Sequence, residues 1–122
     1  MRAGHLVCVV EDDADVRASA RLLLESTGYR VADFANAEAF LRAPDGREAD
    51  CLVLDLNMGG MTGLELLEHL RSTGVHTPAI MVTASDSNLD KHRVSAKLSA
   101  VLRKPSAASD MLACVARACG CG

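Results

Sequence analysis

The chain has 122 residues, of which 49% are hydrophobic and 24% charged, and its formal net charge is −3. A chain of this length and balance can build one core, which excludes a disordered protein and one held together by disulfides. A net charge that is slightly negative does not indicate a positively charged surface of the kind that binds nucleic acid or an acidic membrane. No apolar run approaches the roughly 20 residues that span a bilayer, so we expect a cytoplasmic protein with no membrane contact.

The first elements in chain order are a buried strand, a helix, an edge strand and a short helix. The apolar run Leu6 to Val10 is too short for a typical helix and is followed by acidic residues, which predicts a strand. A helix follows, because apolar residues recur on one face: Val16, Ala20, Leu23 and Leu24. Arg30 to Phe34 mixes polar and apolar residues, as an edge strand does, and Asn36 can cap a short helix that bears Phe40.

The second half of the chain repeats this alternation. Cys51 to Leu54 and Ala79 to Val82 predict two further buried strands, separated by a helix that begins at Gly63. The segment 87–98 is predicted to be helical, and Ala100 to Leu102 can supply a fifth strand. A last helix, capped by Ser106, would have an apolar stripe formed by Met111, Leu112, Val115 and Ala116.

Strand and helix alternating five times predict one α/β domain over residues 1–122, with a parallel sheet between two layers of helices. Cys8 and Cys51 lie within apolar runs, where cysteine usually acts as a small buried hydrophobe with a reduced thiol. Cys119 and Cys121 lack a second ligand pair at metal-binding spacing, which favours a frayed tail.

Polar residues follow the predicted strands where parallel sheets place their sites, at the carboxyl ends. They are Glu11, Asp12, Asp13, Asp55, Thr83 and Lys104. Each alone fits a helix start, a cap or a turn, but their joint occurrence favours a site. Two converging carboxylates, Asp12 and Asp55, repel and predict a hard cation such as Mg²⁺, with Glu11 holding metal-bound water. Asp55 could then attack a phosphoryl donor, while Lys104 and Thr83 contact the transferring oxygens.

Four segments, in this order and spacing, resemble the response-regulator receiver domains of bacterial two-component signalling. They are VVEDDADVR, LVLDLNMGGMTGLELL, MVTAS and LRKP. The resemblance covers the whole chain and implies a flavodoxin-like fold with strand order 2-1-3-4-5. It also implies residue roles: Glu11 and Asp12 as the acidic pair, Asp55 as phosphoacceptor, Asn57 as a Mg²⁺ ligand through its carbonyl, Thr83 as switch hydroxyl, Lys104 as phosphate partner, and Pro105 in a cis bond.

The chain departs from the family pattern at three places. Gly59 stands where a proline is usual, Val101 replaces the usual aromatic switch residue of the fifth strand, and Lys97 and Leu98 stand where a pair of small residues is usual. The phosphorylation chemistry is therefore expected to be intact, while coupling of Thr83 to a rotating aromatic ring is not. We expect phosphorylation to shift the loop after Thr83 and the helix that follows it by another route.

The resemblance implies that a sensor histidine kinase or phosphotransfer protein donates phosphate to Asp55, and that an output domain or downstream protein reads the changed surface. The chain would then be no conventional enzyme, although it would catalyse its own phosphorylation and dephosphorylation. We expect a monomer that can dimerise on phosphorylation, and either a single-domain regulator or a fragment of a longer one.

Two alternative functions remain at this point. A degenerate receiver that only binds proteins would be marked by loss of the acceptor or the metal ligands, and neither is lost. A small phosphohydrolase with an aspartyl-phosphate intermediate would need a general acid just beyond the nucleophile, where this chain has Asn57.

Overall fold

A computed structural model of the chain describes residues 4–43, 48–56, 60–83, 100–103 and 108–119. Its strands are β1 (Leu6–Val10), β2 (Arg30–Phe34), β3 (Cys51–Asp55), β4 (Ala79–Thr83) and β5 (Ala100–Arg103). They form one sheet in the order β2-β1-β3-β4-β5, and every neighbouring pair is parallel. The expected strand order is confirmed.

The described helices are α1 (Ala14–Ser26), α2 (Ala37–Arg42), α3 (Gly63–Ser72) and α4 (Ala108–Ala118). The helix predicted over 87–98 and the cap predicted at Ser106 lie outside the described residues. Among the helices that the structure describes, none is both long enough and apolar enough to cross a membrane.

The strands are nearly continuous runs of apolar residues because both faces of the sheet are covered. All five residues of β1, of β3 and of β4 are buried. Successive side chains of a strand point to opposite faces, so Leu52 and Leu54 pack with α2 and α3 whereas Val53 packs with α1 and α4. The predicted three-layer sandwich is therefore confirmed, with one apolar core on each side of the sheet.

Local hydrogen bonds fix where the helices begin. The predicted cap Asn36 accepts a hydrogen bond from the backbone N–H of Ala39 at 2.7 Å. At the start of α3, Thr62 and Glu65 form a capping box, in which each side chain accepts from the other residue's backbone N–H, at 3.1 and 2.9 Å. The predicted start of α3 at Gly63 is confirmed, although the capping box was not predicted.

The apolar stripe predicted for α1 is only partly confirmed. Ala20 and Leu24 are buried, but Val16 is 43% exposed. Val16 lies in the first turn of the helix, beside Glu11 and Asp55 at the carboxyl edge of the sheet, where the core no longer covers it.

Gly63 allows α3 to approach the end of β3 more closely than any other residue would. A Cβ atom at this position would collide with the Asp55 carbonyl oxygen, and it would lie 2.9 Å from the Met81 sulfur. The backbone N–H of Gly63 also donates to the Leu56 carbonyl at 3.1 Å. The absent side chain thus sets the position of the backbone that carries Asp55.

We expect Gly63→Ala to lower the free energy of unfolding by about 1–3 kcal/mol, the usual cost of overpacking a core. The sign is informative, because alanine is otherwise the better residue in a helix. Urea denaturation followed by far-ultraviolet circular dichroism measures the change.

Ser72→Ala, in the last turn of the same helix, is the matched control, since Ser72 is exposed. It should change the stability by less than about 0.5 kcal/mol. A Gly63→Ala protein at least as stable as the wild type would contradict the close approach.

Candidate functional site

The carboxyl ends of β1 and β3 bring three acidic side chains together. The two strands pair in the register Val10 with Leu54, so the next residues, Glu11 and Asp55, are neighbours across the sheet. One carboxylate oxygen from each of Glu11, Asp12 and Asp55 lies within 4.8 Å of the others. Glu11 and Asp55 are each 4% exposed, whereas Asp12 is open to solvent.

Glu11 is held through its backbone and its side chain. Its N–H donates to the Phe34 carbonyl at 3.0 Å, which extends the β1–β2 pairing by one residue. Its carboxylate accepts from the backbone N–H of Asp13 at 3.1 Å, and its carbonyl accepts from the Arg17 guanidinium at 2.8 Å. These hydrogen bonds fix the Glu11 carboxylate at the carboxyl edge of the sheet.

Arg17 links the start of α1 to the acidic segment. Its side chain is half-buried, and its guanidinium donates to the backbone carbonyl of Glu11. Glu11 and Arg17 are six residues apart, and Glu11 precedes the start of α1. The periodicity of the helix therefore could not have predicted the contact.

Asp13 has a different role from its two acidic neighbours. Its carboxylate accepts from the backbone N–H groups of Asp15 and Val16 at 2.9 and 3.1 Å, and it is the N-cap of α1. The acidic run therefore contributes two residues to the cluster and one to the helix.

Asp55 ends β3 beside a small cavity. The following turn is fixed by hydrogen bonds from Leu56 N–H to the Val82 carbonyl at 2.9 Å and from Gly63 N–H to the Leu56 carbonyl at 3.1 Å. The cavity, of about 30 Å³, is lined by Asp55, Glu11 and apolar side chains. Its size suits water molecules and not an organic ligand.

The other predicted site residues lie on or after the next strands. Thr83 is the last residue of β4 and 1% exposed, and Asp55 pairs with its neighbour Val82. Val101 pairs with Met81 in β5, but its side chain lies outside the described residues. Also outside them lie Asn57, Gly59, Lys104 and Pro105.

The acidic cluster fits a hard divalent cation. Two carboxylates 4.8 Å apart repel by roughly 3 kcal/mol at an effective dielectric constant of about 20. A cation bound between them makes the total electrostatic energy of the group attractive. Oxygen ligands at about 2.1 Å on opposite sides of Mg²⁺ are about 4.2 Å apart, close to the spread of this cluster. The donor set, all carboxylate oxygen, is the kind that Mg²⁺ prefers.

The sequence is similar to known transcriptional regulators over part of their length. FixJ of Azorhizobium caulinodans is 43% identical over 77 residues, which are 63% of this chain and 36% of that protein. FixJ of Bradyrhizobium diazoefficiens is 39% identical over 80 residues, which are 66% of this chain and 38% of that protein. The chain thus spans well under half the length of these curated relatives.

Solved structures match the whole fold. The response regulator StyR superposes with a TM-score of 0.89 at 34% identity, over 97% of this chain and 60% of that one. The chemotaxis protein CheY4 of Vibrio cholerae gives a TM-score of 0.85 at 27% identity, over 95% of this chain and 99% of that one. The family model for the response regulator receiver domain matches residues 7–116, which include every described strand from Val7 onward. The chain therefore belongs to the response regulator receiver domain family of two-component signalling.

Proposed function

We propose that Asp55 accepts a phosphoryl group from a sensor histidine kinase or a phosphotransfer protein, in a reaction that requires Mg²⁺. The observation that carries the proposal is the position of Asp55, buried at a strand end with its carboxylate against those of Glu11 and Asp12. A carboxylate in such a cluster is oriented by its neighbours and can act as a nucleophile once their negative charge is offset.

In the proposed reaction, an Asp55 carboxylate oxygen attacks the phosphorus atom of a phosphohistidine. The new O–P bond forms as the N–P bond breaks, and the imidazole nitrogen leaves with the electron pair. Glu11 and Asp12 would hold Mg²⁺, with the carbonyl of Asn57 as a further ligand. When bound, the ion supplies positive charge that offsets the charge of the carboxylates and of the transferring oxygens. Thr83 and Lys104 are proposed to contact those oxygens from the neighbouring strands.

The size of the cavity beside Asp55 supports a donor that presents its phosphoryl group from outside the chain. Its volume of about 30 Å³ leaves no room for a substrate body in the part of the chain that the structure describes. A phosphorylated side chain presented from outside could still place its phosphoryl group at the mouth of the site. We therefore propose a phosphoacceptor that catalyses its own modification and its reversal, and not an enzyme with a bound substrate.

The proposed readout is a change of surface that an output domain or a downstream protein recognises. The relatives named FixJ are transcriptional regulatory proteins, and this chain covers 36–38% of their length. Its formal net charge of −3 offers no footprint for DNA, so DNA contacts would belong to another domain. We further propose a monomer that dimerises on phosphorylation. Val115 of α4 is fully buried, so it would take no part in the contact between the two copies.

The proposed switch differs from the family's usual one, since Val101 cannot act as a rotating aromatic ring. Thr83 is proposed to draw the segment after β4 toward the phosphoryl group, with Pro105 fixing the chain that follows β5. The two alternative functions are less well supported. The acidic cluster is complete, contrary to a degenerate receiver, and Asn57 cannot serve as the general acid of a phosphohydrolase.

We expect acetyl phosphate with Mg²⁺ to add one phosphoryl mass to the wild-type chain, and none to Asp55→Asn. Intact mass spectrometry after rapid acid quench measures the adduct. Hydroxylamine should remove it, because an acyl phosphate is cleaved by that nucleophile, and EDTA should prevent its formation.

Asp15→Asn is the control, because Asp15 is an exposed acid in the first turn of α1, outside the cluster. It should be phosphorylated like the wild type. An adduct that persists in Asp55→Asn, or none in the wild type under rapid quench, would overturn the proposed acceptor.

We also expect Asp12→Asn to weaken Mg²⁺ binding by about tenfold or more, since it removes one charged ligand from the cluster. Isothermal titration calorimetry suits this protein, because it has no tryptophan to report binding by fluorescence. The same Asp15→Asn variant should bind Mg²⁺ as the wild type does. Equal losses in both variants would show a general charge effect and not a ligand.

A further inference from the structure

The amino edge of the sheet, opposite the acidic cluster, holds two cysteines that are far apart in the sequence. Cys51 is the first residue of β3 and is fully buried. Cys119 directly follows α4 and is half-buried, and it packs against the core cluster that contains Cys51. Cys119 is therefore not part of a frayed tail, and that prediction is wrong for this residue.

The two thiols lie within hydrogen-bonding reach of each other, where Cys119 packs against the core, and Cys119 is also within reach of His5, the residue before β1. The Cys51 thiol also donates to the Leu52 carbonyl at 3.7 Å. The position of Cys119 is fixed, since its backbone N–H donates to the Val115 carbonyl at 2.9 Å and continues the helical pattern of α4. Neither sulfur is in a disulfide.

The contact makes the two sulfurs chemically unequal. The hydrogen bond from Cys51, with a smaller contribution from His5, lowers the pKa of Cys119 to about 6, against the opposing effects of partial burial and Asp50. The same hydrogen bond, together with burial, raises the pKa of Cys51. Cys119 is also the more exposed of the two sulfur-bearing residues, so a small oxidant reaches it more readily than it reaches the fully buried Cys51. A thiolate is the reactive form of cysteine, so Cys119 is the nucleophile of the pair.

We propose that Cys51 and Cys119 form a reversible disulfide when the protein meets a peroxide. The Cys119 thiolate attacks one peroxide oxygen, the O–O bond breaks, and the departing hydroxide takes up a proton to become water. Cys119 is then a sulfenic acid. The Cys51 sulfur attacks the Cys119 sulfur, the S–O bond breaks, and the leaving hydroxide takes the Cys51 proton as a second water. One peroxide thus oxidises two thiols to one disulfide, and a thiol reductant reverses the step.

The other described cysteines are less well placed for this reaction. Cys114 is buried in the same cluster, and its sulfur accepts from the Arg117 guanidinium at 3.6 Å. Cys8 belongs to the core cluster on the opposite face of the sheet. The proposal is independent of phosphorylation, because Asp55 lies four residues beyond Cys51 along β3, roughly 13 Å away.

The test is oxidation of the folded chain by hydrogen peroxide, followed by denaturation, alkylation and mass spectrometry. We expect two fewer alkyl groups per chain, a mass lower by two hydrogen atoms before alkylation, and a crosslinked peptide pair that contains Cys51 and Cys119. Dithiothreitol should restore both alkylation sites. A crosslink between Cys119 and Cys121, or a stable sulfinic acid with no crosslink, would overturn the proposal.

Variants separate the pair from its neighbours. Cys119→Ser should abolish the crosslink, and urea denaturation checks that this variant is as stable as the wild type. Cys121→Ser and Cys114→Ala should both keep the crosslink, and its loss in either would contradict the assigned partners. Asp55→Asn should also form the crosslink, so that failure of the phosphoacceptor proposal leaves this one standing.

Discussion

The parallel pairing of β1 with β3 is the constraint on which the site depends. Its register places the residues after Val10 and Leu54 side by side, and so it forces Glu11 and Asp55 into contact range at one edge of the sheet. The pairing is held by apolar side chains on both faces, since every residue of the two strands is buried. Burial of apolar surface is the main favourable term in folding, and here it accompanies the placement of two carboxylates at positions where each is only 4% exposed. The fold thus stabilises an arrangement of charge that the same residues would avoid in water.

This arrangement couples stability to cation binding. Buried like charges raise the free energy of the folded state, and a cation that binds only the folded arrangement lowers it by mass action. Several hydrogen bonds and one close backbone contact hold the cluster together despite the repulsion between its carboxylates. Asp13 N–H holds the Glu11 carboxylate, Arg17 brings a positive charge to the Glu11 carbonyl, and the absent side chain of Gly63 lets α3 approach the Asp55 backbone. Each support acts on the backbone or on one oxygen, which leaves carboxylate oxygens of the cluster within 4.8 Å of each other.

The sequence predicted most of the fold, because the signals were local. Continuous apolar runs identified the buried strands, and the mixed run from Arg30 identified the edge strand. The acidic cluster was also predictable, since the topology brings strand ends together whatever the details of packing. Contacts that depend on packing angles were not predictable. The thiol contact of Cys119 with Cys51 depends on how α4 lies on the sheet, and the exposure of Val16 depends on where α1 leaves it. The capping box at Thr62 was a local signal that the sequence analysis overlooked.

The last helix connects the two ends of the sheet. Met111, near the start of α4, lines the cavity beside Asp55, and Cys119, just past its end, contacts Cys51. Eight residues of helix span about 12 Å, and the four steps of β3 from Cys51 to Asp55 span about 13 Å, so the helix and the strand are matched in length. A disulfide at Cys119 would thus tether the same helix that contributes Met111 to the wall beside Asp55. Phosphorylation of Asp55 and disulfide formation at Cys119 use separate residues, but α4 lies next to both sites.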